Sequence, residues 1–229
     1  MADGLENNIA LWRERIGNAS AKWGGAEICA VTKTVDVDTI NRAYAAGIRV
    51  IGENRVQEMN EKVDRLHPGF ELHMIGALQT NKVKILPDRV KMVQSVDRLA
   101  LAEALEKRKT QQNANLPVLI EVNIAKEPQK SGVYVEELWP LLKEIAQMER
   151  LAVQGLMTVM PAADDPETIR PLFREMRALF ERIRDWQIPR VQMNVLSMGM
   201  SHDCIVAAEE GATMVRLGRA LFGERPARP

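Results

Sequence analysis

Ile28-Cys29-Ala30-Val31-Thr32-Lys33-Thr34 is a short apolar run closed by a lysine, and its reading decides the fold. Successive apolar residues without polar alternation suit a strand covered on both faces, as in a parallel sheet. A lysine at the end of such a strand is costly to bury, because desolvation disfavours the ammonium and lowers its pKa. A neutral amine can condense with a carbonyl. Read alone, Lys33 would snorkel its amine into water. The far end of the chain changes that reading. There Leu196-Ser197-Met198-Gly199-Met200-Ser201 and Val215-Arg216-Leu217-Gly218 place serine, arginine and glycine as a phosphate and ring-nitrogen site requires.

Outward from this run, similar apolar runs recur at 49–52, 72–76, 90–95, 117–123, 152–157, 191–197 and 213–217. With 28–33 they predict eight strands, several rich in β-branched residues. Amphipathic stretches separate them. The clearest is 169–183, where Ile169, Leu172, Phe173, Met176, Leu179, Phe180 and Ile183 share a face. Leu138, Leu141, Leu142 and Ile145 mark another helix, with Pro140 expected near its start. Asp97 is the expected N-cap of a helix running to about Lys109. Leu5, Ile9, Trp12 and Ile16 form the stripe of an additional helix ahead of the first strand, ended by Gly24-Gly25. This order predicts an α/β fold, a (β/α)8 TIM barrel preceded by an extra N-terminal helix, within one domain spanning 1–229. An open doubly wound sheet is the alternative. It would be expected to carry a glycine-rich dinucleotide or P-loop fingerprint after an early strand, and the sequence has none.

A barrel presents reactive groups at the C-terminal ends of its strands. In this sequence those ends carry Lys33, Glu53-Asn54-Arg55, His73, Asn81-Lys82, Ser95, Asn123, Thr158, Ser201 and Arg216. Closure would set the first strand beside the last, making Lys33 and Arg216 neighbours. Loops after the seventh and eighth strands commonly hold phosphate. Ser201, at the start of a helix expected at 202–209, offers a hydroxyl near free backbone N–H groups; as an isolated serine it would read equally as an N-cap. Gly199 permits a positive φ. Gly218 could donate further N–H groups, or simply turn the chain. Arg216 would face a pyridine nitrogen or a phosphate, or salt-bridge at a strand end. Asn54 would hydrogen-bond near the ring or the imine, or cap a loop. Glu53 and Arg55 are expected to pair with charges around the mouth. His67, His73 and His202 lack metal-ligand spacing, so no metal is assigned.

Composition narrows the function classes. The chain has 229 residues, is 46% hydrophobic and has a formal net charge of zero. That balance argues against an electrostatic grip on nucleic acid or membrane lipid. No apolar segment approaches a membrane span, and the first residues lack a secretory pattern. Cys29 and Cys204 are expected to be reduced thiols of a cytoplasmic protein.

As a set, the motifs resemble those of the pyridoxal phosphate homeostasis protein family, also called the proline synthase co-transcribed homologues. The matching segments are Ala30-Val31-Thr32-Lys33-Thr34, Gly52-Glu53-Asn54-Arg55-Val56-Gln57-Glu58 and His73 through Lys82. Glu121-Val122-Asn123-Ile124, Lys130-Ser131-Gly132, Gly155-Leu156-Met157-Thr158 and the two C-terminal motifs complete the series. The resemblance runs from about residue 5 to residue 224 and implies a barrel of the type found in the N-terminal half of alanine racemase. It implies that Lys33 carries pyridoxal 5'-phosphate as a Schiff base and that Ser201 and Gly218 hold the phosphate. Arg216 would contact the ring nitrogen or the phosphate. It further implies a carrier that maintains vitamin B6 and amino-acid balance without robust catalysis, as a monomer or weak dimer, with transient contact to apo-enzymes. The alternative is a slow amino-acid racemase. Racemisation needs an acid or base on each face of Cα. The related racemases take the second from a tyrosine of a further domain, for which this sequence leaves no room after Arg216. Its own tyrosines, Tyr44 and Tyr134, are not placed like that acid. Arg219 departs from the small residue usual in the family at that position. Thr32 stands in place of the commoner serine.

Overall fold

The computed structural model describes residues 3–223, except the side chain of Asp3. The proline-rich tail Arg225–Pro229, expected to fray, lies outside the described residues. Eight parallel strands pair in chain order and the last returns to the first, which closes the barrel. They are β1 (Glu27–Val31), β2 (Val50–Glu53), β3 (Glu71–Met74) and β4 (Val90–Val96), followed by β5 (Leu116–Glu121), β6 (Leu151–Met157), β7 (Val191–Met200) and β8 (Met214–Leu217). The helices are α1 (Asp3–Ser20), α2 (Val37–Ala45), α3 (Val56–Lys62) and α4 (Leu99–Gln111), then α5 (Val135–Ile145), α6 (Arg170–Asp185), α7 (Cys204–Glu209) and α8 (Arg219–Phe222). After β3 the chain makes only a 3-10 turn, Thr80–Ile85, in place of a full helix.

Two cores result from this geometry. The larger lies between the outer face of the sheet and the helices, and Phe173, Ile40, Leu105 and Leu142 are among its fully enclosed side chains. The smaller fills the barrel itself. Cys29, Val50 and Met214 form one apolar group, with Ile75 and Val195 against them. Met92, Leu119 and Met157 form another. Gly52 belongs to this interior: a Cβ there would meet Ile75 Cδ1 at 2.7 Å and Cys29 Sγ at 2.9 Å.

Three expectations need correction. The helix after β4 is not capped by Asp97. Arg98 occupies the N-cap position without a side-chain cap, and Asp97 pairs instead with the Arg98 guanidinium. Pro140 is the sixth residue of α5, not near its start. Its missing N–H falls on the exposed side, where water can satisfy the carbonyl of Glu136, so the helix continues around it. The helix expected at 202–209 begins only at Cys204, and Asp203 precedes it, its Oδ1 accepting the backbone N–H of Met200.

The extra helix α1 packs against α7 and α8. Leu5, Ile9 and Ile16 are buried there, with Trp12 half-buried. Two polar contacts fix the arrangement: Asn8 Nδ2 donates to the Leu221 carbonyl at 3.1 Å, and Trp23 Nε1 donates to the Glu209 carbonyl at 2.9 Å. The segment carrying the phosphate candidates is therefore braced from the other end of the chain.

Candidate functional site

A cavity of about 770 Å³ opens at the C-terminal end of the barrel. Lys33, Lys130, Ser201, His202, Asp203, Arg216, Gly218 and Arg219 are among its lining residues. That volume suits a cofactor-sized ligand. The four candidates Lys33, Ser201, Arg216 and Gly218, far apart in sequence, thus meet on one wall. Asn54 stands aside from this cavity. With Lys33 and Arg55 it lines a smaller adjoining one, and its Oδ1 is buried without a hydrogen-bond partner.

Lys33 does not close a buried strand. β1 ends at Val31, and Lys33 stands two residues further on, exposed at the mouth. The amine is held in reach of the cavity by the loop, not enclosed by the sheet. Thr34, next along, has φ of 62°, an unfavourable region for a β-branched residue.

Arg216 is enclosed, only 4% exposed. Its guanidinium is turned into the barrel, donating to Ser197 Oγ at 2.8 Å and to the Thr158 carbonyl at 2.7 Å. A chain of side chains continues from there. Ser197 Oγ donates to Gln94 Oε1 at 2.7 Å, and Gln94 Nε2 lies 2.9 Å from His73 Nδ1. Burial pushes His73 down to about 4, so its neutral ring can accept that bond at Nδ1. This chain, together with the Thr158 carbonyl at the end of β6, fixes the Arg216 guanidinium in one pose. Burial lowers the Arg216 pKa, while charge on Cys29, Glu121 and Asp203 opposes that fall. Glu121, near Arg216 and also buried, is raised to about 7 by burial and then by Asp97, with Arg216 opposing. The Cys29 thiol is pushed up to about 12 by burial, so it is no nucleophile.

The phosphate candidates sit beyond the strand ends. Gly199 has φ of 92°, and a Cβ there would meet Ala207 Cβ at 2.5 Å. This bend carries the chain to Ser201. Ser201 Oγ accepts the backbone N–H groups of Gly218 at 3.3 Å and Ala220 at 3.2 Å. Two main-chain donors and a hydroxyl therefore converge, as they do where loops bind phosphate. Ser201 is thus no cap for α7. His202 Nε2 lies 3.1 Å from the Asp164 carbonyl on the rim.

Other strand-end residues serve the loops. Ser95 Oγ donates to the Gly76 carbonyl, Thr158 Oγ1 to that of Val122, and Asn123 Nδ2 to that of Glu127. Glu53 and Arg55 part company. Arg55 is exposed, but Glu53 is fully enclosed, bound to Thr32 and Lys62.

Comparison with known proteins shows the family and the fold. The family described as "Alanine racemase, N-terminal domain" matches residues 2–226. The pyridoxal phosphate homeostasis protein of Aquifex aeolicus is 44% identical over 218 residues, covering 93% of this chain and 94% of that protein. This chain belongs to the pyridoxal phosphate homeostasis protein family. Its fold matches the structure of PipY from Synechococcus elongatus with pyridoxal phosphate bound. That likeness has a TM-score of 0.83 and 30% identity and covers 96% of this chain and all of the other. Alanine racemase from Corynebacterium glutamicum shares the fold, with a TM-score of 0.74 at 19% identity. The likeness covers 98% of this chain and 62% of the racemase.

The structure adds Lys62 and Gln94 around the site and gives Ser197, part of a C-terminal motif, a role as acceptor for Arg216. Lys62 lies four residues after Glu58, a helical ion-pair spacing that was there to be read. Gln94 and Ser197 carry no such signal, because their partners come from distant strands.

Proposed function

We propose that this chain is a pyridoxal 5'-phosphate carrier that holds the cofactor through Lys33 and serves vitamin B6 and amino-acid balance without robust catalysis. The observation carrying this reading is the convergence of the Lys33 amine, the buried Arg216 guanidinium and the Ser201–Gly218 donors on one cavity. When bound, the cofactor supplies an aldehyde that forms a Schiff base with an amine, and a phosphate that needs donors. Lys33 would provide the amine; Ser201 and the Gly218 N–H would hold the phosphate. The Arg216 guanidinium bonds to Ser197 and Thr158 and makes no hydrogen bond with Ser201 or Gly218, which supports a contact with the ring nitrogen over one with the phosphate. An arginine there stays protonated and leaves that nitrogen without a proton. Such a ring is a weak electron sink, in keeping with carriage more than catalysis. Asn54, whose Oδ1 lacks a partner, would complete the ring side.

The racemase reading is weaker. Neither tyrosine lines the cavity. Tyr44 stacks on His67 at 3.7 Å between ring centroids, and Arg49 lies over its ring, at the N-terminal side of the barrel. Tyr134 sits at the start of α5. The proposal extends to one domain over 1–229, to a cytoplasmic location suited to two buried free thiols, and to transient hand-over to apo-enzymes by a monomer or weak dimer. No described helix is long and apolar enough to cross a membrane.

The test is the visible absorption spectrum with pyridoxal phosphate, for the parent and for Lys33→Ala. A band that borohydride removes, present in the parent and absent in the variant, is the expected result. An unchanged band in Lys33→Ala would overturn the attachment site. No band in either protein would overturn the cofactor reading. Adding L-alanine and following optical rotation separates carrier from racemase; the expected rotation is constant.

A further inference from the structure

The motif Gly52 through Glu58 brings more to the mouth than Asn54. We propose that Glu53, Glu58 and Lys62 are positioning residues for Lys33, fixing the main chain on both sides of it and so governing how readily its amine meets a carbonyl ligand. This rests on Lys33 being the attachment residue.

The strand ladder cannot do this positioning. β1 ends at Val31, and its last ladder-like bond is from the Thr32 N–H to the Gly52 carbonyl at 3.0 Å. Beyond that point one main-chain turn bond, from the Val35 N–H to the Thr32 carbonyl at 3.0 Å, spans Lys33, and side chains supply the remaining contacts. Thr32 Oγ1 donates to Glu53 Oε1 at 2.7 Å. Lys62 Nζ, on a residue only 8% exposed, donates to three oxygens at 2.8 Å each: the Thr32 carbonyl, Glu53 Oε1 and Glu58 Oε1. Glu58 Oε1 also accepts the Thr34 N–H. Hence the residue before Lys33 is gripped at its hydroxyl and carbonyl, and the residue after it at its N–H. The Thr34 φ of 62°, one a threonine avoids when unsupported, is held by this bond together with the Val35–Thr32 turn.

Stability alone is a poor account of the cluster. Burying one ammonium with two carboxylates brings desolvation that the ion pairs do not clearly outweigh. Glu53 Oε2 is buried and has no partner. Burial raises the Glu53 pKa, although Lys62 and Thr32 bind it. What the cluster does achieve is a single geometry at the two peptide units flanking Lys33, of which the Thr32 carbonyl is 30 residues from Lys62 in sequence.

The experiment compares the parent protein with Glu58→Ala, Glu58→Gln, Lys62→Met and Lys33→Ala, using pyridoxal phosphate itself. The first readout is the rate constant for appearance of the visible band. The second is hydrogen exchange at the Thr34 amide without ligand. In Glu58→Ala the band should form about ten- to a hundredfold more slowly, the scale expected when a reacting group is misplaced, and Thr34 should lose protection. Glu58→Gln keeps an acceptor oxygen, so it should recover most of both. A role confined to stability would instead lower the melting temperature of both variants and leave the rate untouched, which overturns the proposal. Parent rates in both Glu58→Ala and Lys62→Met would overturn it too, with the Lys33 attachment still standing. A band that survives in Lys33→Ala would overturn the attachment and this proposal together.

Discussion

Arg216 gives its hydrogen bonds to Ser197 inside the barrel and to the Thr158 carbonyl at its mouth, so a change at Ser197 should be felt at the mouth. Ser197→Ala removes one bond from a charged donor and leaves Gln94 Oε1 without its hydroxyl. Urea unfolding should show a loss of about 1.5–3 kcal/mol, the scale for a hydrogen bond to an ionised group. The visible band of the loaded protein should also shift, because the guanidinium proposed to face the ring is no longer fixed. Unchanged stability and band would mean that the chain from Arg216 to His73 positions nothing. Glu121 gives a prediction with a sign. Its folded pKa of about 7 stands above the ordinary carboxylate value of 4.5, so the folded state holds its proton more tightly than the unfolded state. Its contribution to stability is full below about pH 4.5 and is lost as pH rises through 7. His73, lowered from 6.5 to about 4, works oppositely, losing stability as pH falls through that interval. The two overlap, so the parent's profile alone is uninformative. Between pH 4.5 and 8, Glu121→Gln should gain on the parent by up to about 3 kcal/mol, read by urea unfolding at each pH. A constant difference would show that Glu121 is not desolvated.

At the scale of elements, the passage from β7 to α7 decides whether the Ser201 hydroxyl meets the N–H groups of Gly218 and Ala220, the proposed phosphate donors. Gly199 turns the chain at φ of 92° with no room for a Cβ. Gly199→Ala should cost about 1–3 kcal/mol of stability, as strain at such a position does, and should weaken pyridoxal phosphate binding by displacing Ser201. Retained affinity in a spectroscopic titration would separate Ser201 from the phosphate. This joint also shows what the sequence could and could not disclose. Apolar runs located all eight strands, because a strand enclosed on both faces must be apolar whatever its partners are. Their ends were less legible. The run at 28–33 continued through Thr32 and Lys33, but pairing stops at Val31, since the chain there turns toward the Glu53–Lys62 cluster instead of extending the sheet. β7 ran three residues beyond the expected end because Met200 still pairs with Arg216. Lys33, Ser201, Arg216 and Gly218 could be named from their motifs, and barrel closure predicted their meeting. Gln94 and Ser197 could not, because an interior hydrogen bond between β4 and β7 depends on register that no local pattern encodes. The Asp97 cap failed for a similar reason: the adjacent Arg98 guanidinium binds the carboxylate that the helix would have used.

Over the whole molecule, the two ends of the chain are mechanically one piece. β1 pairs with β8, and α1 lies across α7 and α8. Asn8 binds the Leu221 carbonyl, and Trp23 both holds Glu209 and lies under the Arg177 guanidinium at 4.4 Å. The donors of Gly218 and Ala220 therefore depend on a helix that never touches the cavity. Ile9 is the residue to remove, because it is 1% exposed within that packing and does not line the cavity. Ile9→Ala should destabilise the fold by about 2–5 kcal/mol, as truncation of an enclosed isoleucine does. The more telling readout is hydrogen exchange. If α1 braces the C-terminal segment, protection should fall together in α1 and at the amides of Gly218, Ala220 and the α8 turn, and pyridoxal phosphate should bind more weakly although no ligand contact has changed. Protection lost in α1 alone, with Gly218 and Ala220 as slow as in the parent, would show that the barrel closes its phosphate loop without the extra helix.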